Sequence, residues 1–301
     1  ALSIRSENLP TDFYKTFLSN LNKVSKDDVM DSSKKFFLID NAQIVVTGKI
    51  NDIIENLENI YLDNNKIDVI YHDEFGNITQ RPDYSVSDDV TTESIINNYL
   101  DLIGGKDKLE EVKSIEIKGN ANLNMQGQSL VLEFYSLKNN QNQSLATVTA
   151  GGMVVQKSVF NKYQGYNEVN GQKMPITDTE LEQAIINSAL FTELNYDYST
   201  MELVGTSIVN EEKAYEVKVT DNKTEYYSIE SGLKVKEVET SEVEGNQMSV
   251  ETTINEYEEV DGILIPSEIN LVPPGMPIPG GITIKFGTIN LNIKTSDSDF
   301  N

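Results

Sequence analysis

The spacing of apolar residues changes near residue 91, and this change divides the chain. From Thr91 to Ile103, apolar residues recur every three or four positions, which predicts a helix with one buried face. Thr91 or Thr92 can cap its start, and Gly104 with Gly105 allows the positive φ that ends a helix. A helix this short is marginal alone in water, so we expect the strand-rich segment that follows to cover its apolar face. That face comprises Ile95, Ile96, Tyr99, Leu100 and Ile103.

Residues 114–293 alternate apolar and polar positions between turns rich in glycine, asparagine and aspartate, which is typical of antiparallel strands with one wet face. One helix interrupts them, opened by a capping box at Thr177–Glu180 and continuing to residue 194. Many strands against two helices predict an α+β fold, a curved antiparallel half-barrel packed on helices. The strands are predicted at 114–123, 129–137, 144–150, 153–160, 201–209, 214–220, 224–229, 233–239, 249–257, 263–271 and 282–293.

The first part of the chain has a different pattern, which predicts three helices and one or two strands. Ser25 is a suitable N-cap for the second helix, the apolar run 42–47 predicts a buried strand, and residues 67–71 predict another. These elements make a poor sheet alone, so we interpret residues 1–76 as a fragment of a larger α+β half-domain and residues 77–90 as a linker to a domain at 91–301. Exposed sheet edges lead us to expect that residues 1–73 pair with another copy or pack onto the half-barrel.

Composition narrows the function classes. The formal charge of -24 repels nucleic acids and anionic lipid surfaces, and we interpret it as a solvated surface in preference to a cation site. The absence of cysteine excludes disulfides and thiolate chemistry. No apolar run has the length of a transmembrane segment. The single histidine, His72, has no second imidazole to join it in a metal site, so we predict that it is a surface residue and that the chain has no metal ligand. We also predict no catalytic residue in this chain.

Residues 9–48 contain LNKVSKDDVMDSSKKFFLIDNAQIVVTGK, with a helix opened by V-S-K-D-D-V and then D-N-A-Q-I-V-V-T-G. This segment resembles the end of an insulinase/pitrilysin-type zinc peptidase half-domain. The zinc site of that family is H-x-x-E-H, which this chain lacks, so the resemblance places zinc only in a parent peptidase and no cofactor in this chain.

Four other pieces resemble the lipoprotein-carrier-like (LolA/LolB-like) domains: LIGGKDKLEEVKSIEIKG, YQGYNEVNGQKMPITDTELEQAI, YYSIESGLKVKEVE and INEYEEVDGILIPSEINL. The tail IKFGTINLNIKTSDSDF is similar to the end of such domains behind zinc-peptidase modules in Bacteroidetes-type envelope proteins. The resemblance implies an unclosed barrel whose concave face holds acyl chains or another apolar ligand. It also implies the periplasm or outer envelope of a Gram-negative bacterium.

Two sets of residues are candidates for ligand contact. Leu130, Leu132, Phe134, Leu190 and Phe191 belong either to a plain core or to the lining of an apolar site. The stretch VPPGMPIPGG, with Pro273, Pro274, Met276 and Ile278, is either a hairpin connection or a lid over the mouth of the half-barrel. For Asp297 and Asp299, a disordered acidic tail is favoured over a weak calcium site.

Three hypotheses about function remain open. In the first, the chain is the non-catalytic C-terminal region of a zinc metallopeptidase, and its half-barrel binds a lipid or positions the peptidase. In the second, the chain is a subunit that an upstream metal-bearing half completes into an active peptidase. In the third, it is a structural spacer with a filled core.

Overall fold

A computed structural model describes residues 6–37, 43–48, 53–62, 64–73, 75–125, 128–243, 246–274 and 280–301. The chain divides into two compact units, Ala1–Gln80 and Arg81–Asn301. The N-terminal unit therefore extends four residues into the segment that we predict as a linker.

The N-terminal unit contains short elements and almost no core. Its elements are α1 (Phe13–Leu21), α2 (Lys26–Phe36), α3 (Ile54–Leu57), β1 (Tyr61–Leu62) paired with β2 (Asn65–Lys66), and β3 (Tyr71–His72) paired with β4 (Ile78–Thr79). Ser25 caps α2 as expected, because its Oγ accepts from the backbone N–H of Asp28 at 3.1 Å. Among the described residues of this unit, Ile54 alone is buried.

Both predicted strands of this unit need correction. Residues 43–47 form no strand, and the side chains of Ile44 and Val45 are 78% and 82% exposed. An apolar run becomes a buried strand only where another strand takes its hydrogen bonds, and no described strand does so here. Of residues 67–71, only Tyr71 is in a strand, where it pairs with Thr79. The hairpin turns at Asp73, whose Oδ1 accepts from the N–H groups of Phe75 and Asn77.

The described residues of the second unit form one antiparallel sheet of 13 strands, which confirms the curved half-barrel predicted from the sequence. Its order is β10-β9-β8-β7-β6-β5-β17-β16-β15-β14-β13-β12-β11. Each of the eleven predicted strands is present, with ends shifted by a few residues. The strands are β5 (Ser114–Met125), β6 (Gln128–Asn139), β7 (Gln143–Ala150), β8 (Met153–Asn161), β9 (Gln164–Val169), β10 (Gln172–Pro175), β11 (Glu202–Val209), β12 (Glu212–Thr220), β13 (Lys223–Ser228), β14 (Lys234–Val243), β15 (Asn246–Val260), β16 (Ile263–Val272) and β17 (Ile282–Leu291).

Among its described residues, this unit has the α-helices α4 (Thr92–Ile103), α5 (Lys106–Glu111) and α6 (Asp178–Ser188). The start of α4 is the predicted one, since Thr91 Oγ1 accepts from the N–H of Ser94 at 3.1 Å. Its end is fixed by Gly104 at φ 148°, where a Cβ would lie 3.2 Å from Ile263 Cγ1. The predicted helix to residue 194 is too long: α6 ends at Ser188, and 3-10 turns follow at Thr192–Asn195 and Tyr198–Thr200.

The main core lies between α4 and the face of the sheet that we call concave. All five apolar residues predicted for α4 are buried there, with Ile96 and Leu100 at 0% exposure. They pack with Leu109, Val112, Ile115, Phe191, Val217, Tyr227, Ile263, Ile265 and Ile289, among others. Residue 300 packs elsewhere: the 3-10 turn Asp297–Phe300 lies on β7 and β8 and buries Phe300.

Candidate functional site: the concave face of the sheet

The register of β5 and β6 places three of the predicted ligand residues on the concave face. Leu130 lies opposite Leu123, Leu132 opposite Ala121, and Phe134 opposite Gly119. Residues directly opposite in an antiparallel pair share a face, and alternate residues along a strand return to it. A second, small core forms here around Ala121, Ile282 and Ile284.

This part of the concave face is incompletely covered. Leu130 is 38% exposed, and Leu132 and Phe134 are half-buried. The neighbouring apolar residues are also half-buried, and no side chain of α6 that the structure describes is buried except Ser188. We call this surface the apolar trough; it comprises Leu123, Leu130, Leu132, Phe134, Val148, Ala150, Ile269 and Leu271.

The other two predicted ligand residues lie apart from the trough. Phe191 is 9% exposed and belongs to the main core beside α4, and Leu190 packs against the same core. The fold therefore separates the five predicted residues: Leu190 and Phe191 lie at the filled end of the concave face, and the other three lie at its open end.

The predicted lid segment is described only in part. Pro273 and Pro274 follow β16 and are half-buried, while Met276 and Ile278 lie outside the described residues. At the far end, Asn270 Nδ2 donates to the carbonyl oxygen of Gly280 at 2.8 Å and to Thr283 Oγ1 at 3.2 Å. These two bonds join β16 to Gly280, just before β17, and to Thr283 within β17.

A network of buried charges, which the sequence reasoning missed, lies beside the main core. We call it the charged cluster: Glu193, Lys223, Glu225, Lys234 and Glu237. Lys234 Nζ lies 2.7 Å from Glu193, 3.3 Å from Glu225 and 3.4 Å from Glu237. Lys223 Nζ lies 2.9 Å from Glu225, whose side chain is fully buried. The cluster fastens the 3-10 turn that carries Glu193 to β13 and β14.

Tyrosine hydroxyls complete the hydrogen bonding of the cluster. Tyr196 donates to Glu225 Oε1 at 2.8 Å, and Tyr227 donates to Glu225 Oε2 at 2.5 Å. Burial alone would raise the pKa of Glu225, but the ammonium groups of Lys234 and Lys223 lower it to about 2. Burial likewise opposes the charge of Lys234, yet Glu193, Glu225 and Glu237 hold its pKa well above the usual value. Glu225 and Tyr227 share a face of the sequence T-E-Y-Y-S, and this alternation was the available signal.

Lys138 extends the polar groups toward the end of α6. Its Nζ donates to the carbonyl oxygens of Asn187 at 2.7 Å and Ala189 at 3.4 Å. The last carbonyls of a helix have no partner within the helix, and a lysine satisfies them well. This contact satisfies two carbonyl groups at the end of α6, where the chain turns to the extended conformation at Ala189.

The remaining candidate residues, His72 and Asp297, contact other groups of the protein. His72 Nδ1 lies 2.9 Å from the carbonyl oxygen of Gly76. Asp297 accepts from Gln143 Nε2 at 2.9 Å and from Lys162 Nζ at 3.1 Å, so the expectation of a disordered acidic tail is wrong. Within the part of the chain that the structure describes, no group of three or more His, Cys, Asp or Glu has an arrangement that could hold a metal ion. None of the helices in the described ranges combines the length and the apolarity needed to cross a membrane.

Comparison with known proteins finds similarity in structure alone. No protein-family model and no curated protein sequence matches the chain. A DUF1329 family protein from Desulfovibrio piger is similar at 12% identity and TM-score 0.45, over 69% of this chain and 96% of that one. A LolA superfamily protein from Nitrosomonas europaea is similar at 11% identity and TM-score 0.45, over 70% of this chain and 98% of that one.

A third similar structure is a putative outer membrane lipoprotein-sorting protein domain from Vibrio parahaemolyticus, at 9% identity and TM-score 0.39. It matches 63% of this chain and 89% of its own. Because these TM-scores lie below 0.5, the structures identify no ligand for this chain. Nothing in the comparisons supports the resemblance of residues 9–48 to an insulinase/pitrilysin-type half-domain.

Proposed function

We propose that residues 81–301 bind an apolar ligand with an acyl chain in the apolar trough. The observation that carries this proposal is the unequal covering of one face. At the α4 end the apolar side chains are sealed, whereas at the trough Leu130, Leu132 and Phe134 keep part of their surface in water. A contiguous exposed apolar surface in a concavity is the usual form of a small-molecule site.

The trough has the dimensions and chemistry for an extended hydrocarbon chain. It crosses the adjacent strands β7, β6, β5, β17 and β16. At a strand spacing of about 4.8 Å, four intervals give a length of about 19 Å. Each methylene that leaves water for such a surface contributes roughly 0.8 kcal/mol.

The proposal also concerns where the protein is located and whether it accompanies a peptidase. A carrier of acyl chains works beside membranes, so a location in the cell envelope accompanies the proposed ligand. Two hypotheses stay predictions: that this region accompanies a zinc peptidase, and that it completes one as a subunit. None of the described residues tests either hypothesis.

The test compares two substitutions on one strand. Leu132→Glu places a charge in the trough, whereas Val131→Glu places the same charge on the opposite face, where Val131 is already 47% exposed. After delipidation, the fluorescent fatty acid 11-dansylaminoundecanoate should bind the unmodified chain and the Val131→Glu variant equally. We expect Leu132→Glu to weaken binding roughly tenfold or more, because an unpaired carboxylate in an apolar site is costly.

Native mass spectrometry of the protein as purified gives an independent test, with a lipid-sized adduct as the expected result. Circular dichroism must first show that both variants are folded. The proposal fails if no adduct appears and the delipidated chain takes up no probe, or if both variants bind the probe as the unmodified chain does.

A further inference from the structure

A second depression lies on the convex face of the same sheet, behind the trough. It has a volume of about 510 Å³, within the range of small-molecule sites. The register shows that its side chains share one face: Tyr135 lies opposite Lys118 and Thr147, and Glu133 lies opposite Asn120 and Thr149. We call it the convex groove; it is lined by Asn120, Glu133, Tyr135, Thr147, Thr149 and Gly287, among others.

Two irregularities of the sheet flank the convex groove. The register shifts between Phe286 and Thr288 of β17, and again between Val148 and Thr149 of β7. Such bulges bend a strand and change the direction of its side chains. Gly287 lies at the first of them, and no atom lies within 4 Å of the position that its Cβ would occupy. Its φ is outside the left-handed region, so the backbone admits a side chain there and the glycine leaves the groove open.

The groove presents polar groups that the protein does not use. Among the described residues, no protein group forms a hydrogen bond with the side chains of Asn120, Glu133, Thr147 and Thr149; the first two are exposed to solvent and the two threonines are half-buried. They offer an amide, a carboxylate and two hydroxyl groups, which together donate and accept several hydrogen bonds.

The aromatic ring of the groove is held in place. The ammonium group of Lys118 lies 5.6 Å from the centre of the Tyr135 ring and 3.0 Å from Glu116. Glu116 in turn accepts from Asn290 Nδ2 at 2.8 Å. A fixed ring beside free hydroxyl and amide groups provides one apolar surface and several directed polar contacts.

The charges of the groove select among ligand classes. Lys118 is paired with Glu116, whereas Glu133 has no cation partner among the described residues, so an anionic ligand would meet net repulsion. We propose that the convex groove binds a neutral saccharide, with one sugar ring on Tyr135 and its hydroxyl groups bonded to Asn120, Glu133 and the two threonines.

Saturation-transfer NMR with the full chain tests this site, using cellobiose, lactose, N,N'-diacetylchitobiose and, as the anionic comparison, glucuronate. We expect transfer to at least one neutral disaccharide and none to glucuronate. Tyr135→Ala and Gly287→Leu should each weaken that binding about tenfold or more, the first by removing the ring and the second by filling the groove. Leu132→Glu, on the other face, should leave it unchanged.

Gly287→Leu keeps the proposal testable if Tyr135→Ala fails to fold, since a side chain at residue 287 meets open space. Absence of transfer to every neutral sugar would overturn the inference. So would binding that both groove variants retain, or a preference for glucuronate. The dansyl probe reports on the apolar trough and the saccharides report on the convex groove. A negative result at one site therefore does not decide the other.

Discussion

The charged cluster makes the stability of residues 81–301 depend on pH in a way that one substitution should remove. The perturbation is Glu225→Gln, which keeps the size of the side chain but removes the charge that Lys223 and Lys234 surround. Because these lysines also contact Glu237, and Lys234 contacts Glu193, the variant retains counter-charges for both. We therefore expect a weakened fold and not an unfolded one.

The magnitude follows from the pKa of Glu225, which falls from 4.5 to about 2. At about 1.4 kcal/mol for each pH unit, this difference corresponds to about 3 kcal/mol of folding free energy. A depressed carboxylate pKa stabilises the fold above the unfolded value of 4.5, and this contribution disappears as the pH falls toward 2. Since Glu225 is fully buried, solvent does not screen the effect.

The assay is urea unfolding followed by circular dichroism between about pH 7 and about pH 2.5. Glu225→Gln should be less stable than the unmodified chain by up to about 3 kcal/mol near neutrality, and this difference should narrow to about 1 kcal/mol by about pH 2.5. Glu230→Gln, at an exposed glutamate, is the control and should shift neither curve. A gap that stays constant with pH would refute the reasoning, because it would show that the loss comes from packing and not from charge.

Other predictions follow from single contacts. Leu100→Ala should lower the free energy of unfolding by about 2–5 kcal/mol, since Leu100 is fully buried on the inner face of α4; denaturant titration checks this, and a change below about 1 kcal/mol would contradict it. Gly104→Ala should cost more than about 1 kcal/mol, because of its φ of 148° and the nearby Ile263; an unchanged unfolding midpoint would count against the strain. Deleting residues 273–279 should weaken binding of the dansyl probe if this segment is a lid, and unchanged binding would leave a plain hairpin connection. Phe36→Ser with Phe37→Ser should reduce self-association measured by light scattering if residues 1–73 pair with another copy, since both rings are more than 70% exposed; a chain that is monomeric before substitution excludes that pairing.

Local signals in the sequence predicted the elements whose causes are local. The ends of α4 follow from Thr91 and Gly104, and β12 follows from alternation at Tyr215, Val217 and Val219. β9 and β10 were missed because their residues, such as Gln164 and Asn167, are too polar to alternate visibly.

Contacts between distant residues explain the remaining errors. The last carbonyls of α6 are satisfied by Lys138, which precedes Asn187 by 49 residues in the chain. The run at 43–47 has strand propensity, but propensity supplies no partner strand. The charged cluster joins a 3-10 turn to two strands, and alternation alone assigns its residues only to a face.

The filled core and the open trough differ in the apolar side chains that the helices bury. α4 buries five apolar side chains against the concave face, so that end gains its stability within the chain. α6 buries Ser188 but no apolar side chain that the structure describes, and Lys138 with the charged cluster fixes the chain that follows it. The apolar surface at Leu130, Leu132 and Phe134 therefore retains hydrophobic free energy that folding does not use. A ligand that covers this surface binds the folded state alone, so it should raise the unfolding midpoint in proportion to the logarithm of its concentration, and Leu132→Glu should abolish that rise. A midpoint that does not respond to an acyl ligand would show that α6 and the loops close the trough without one.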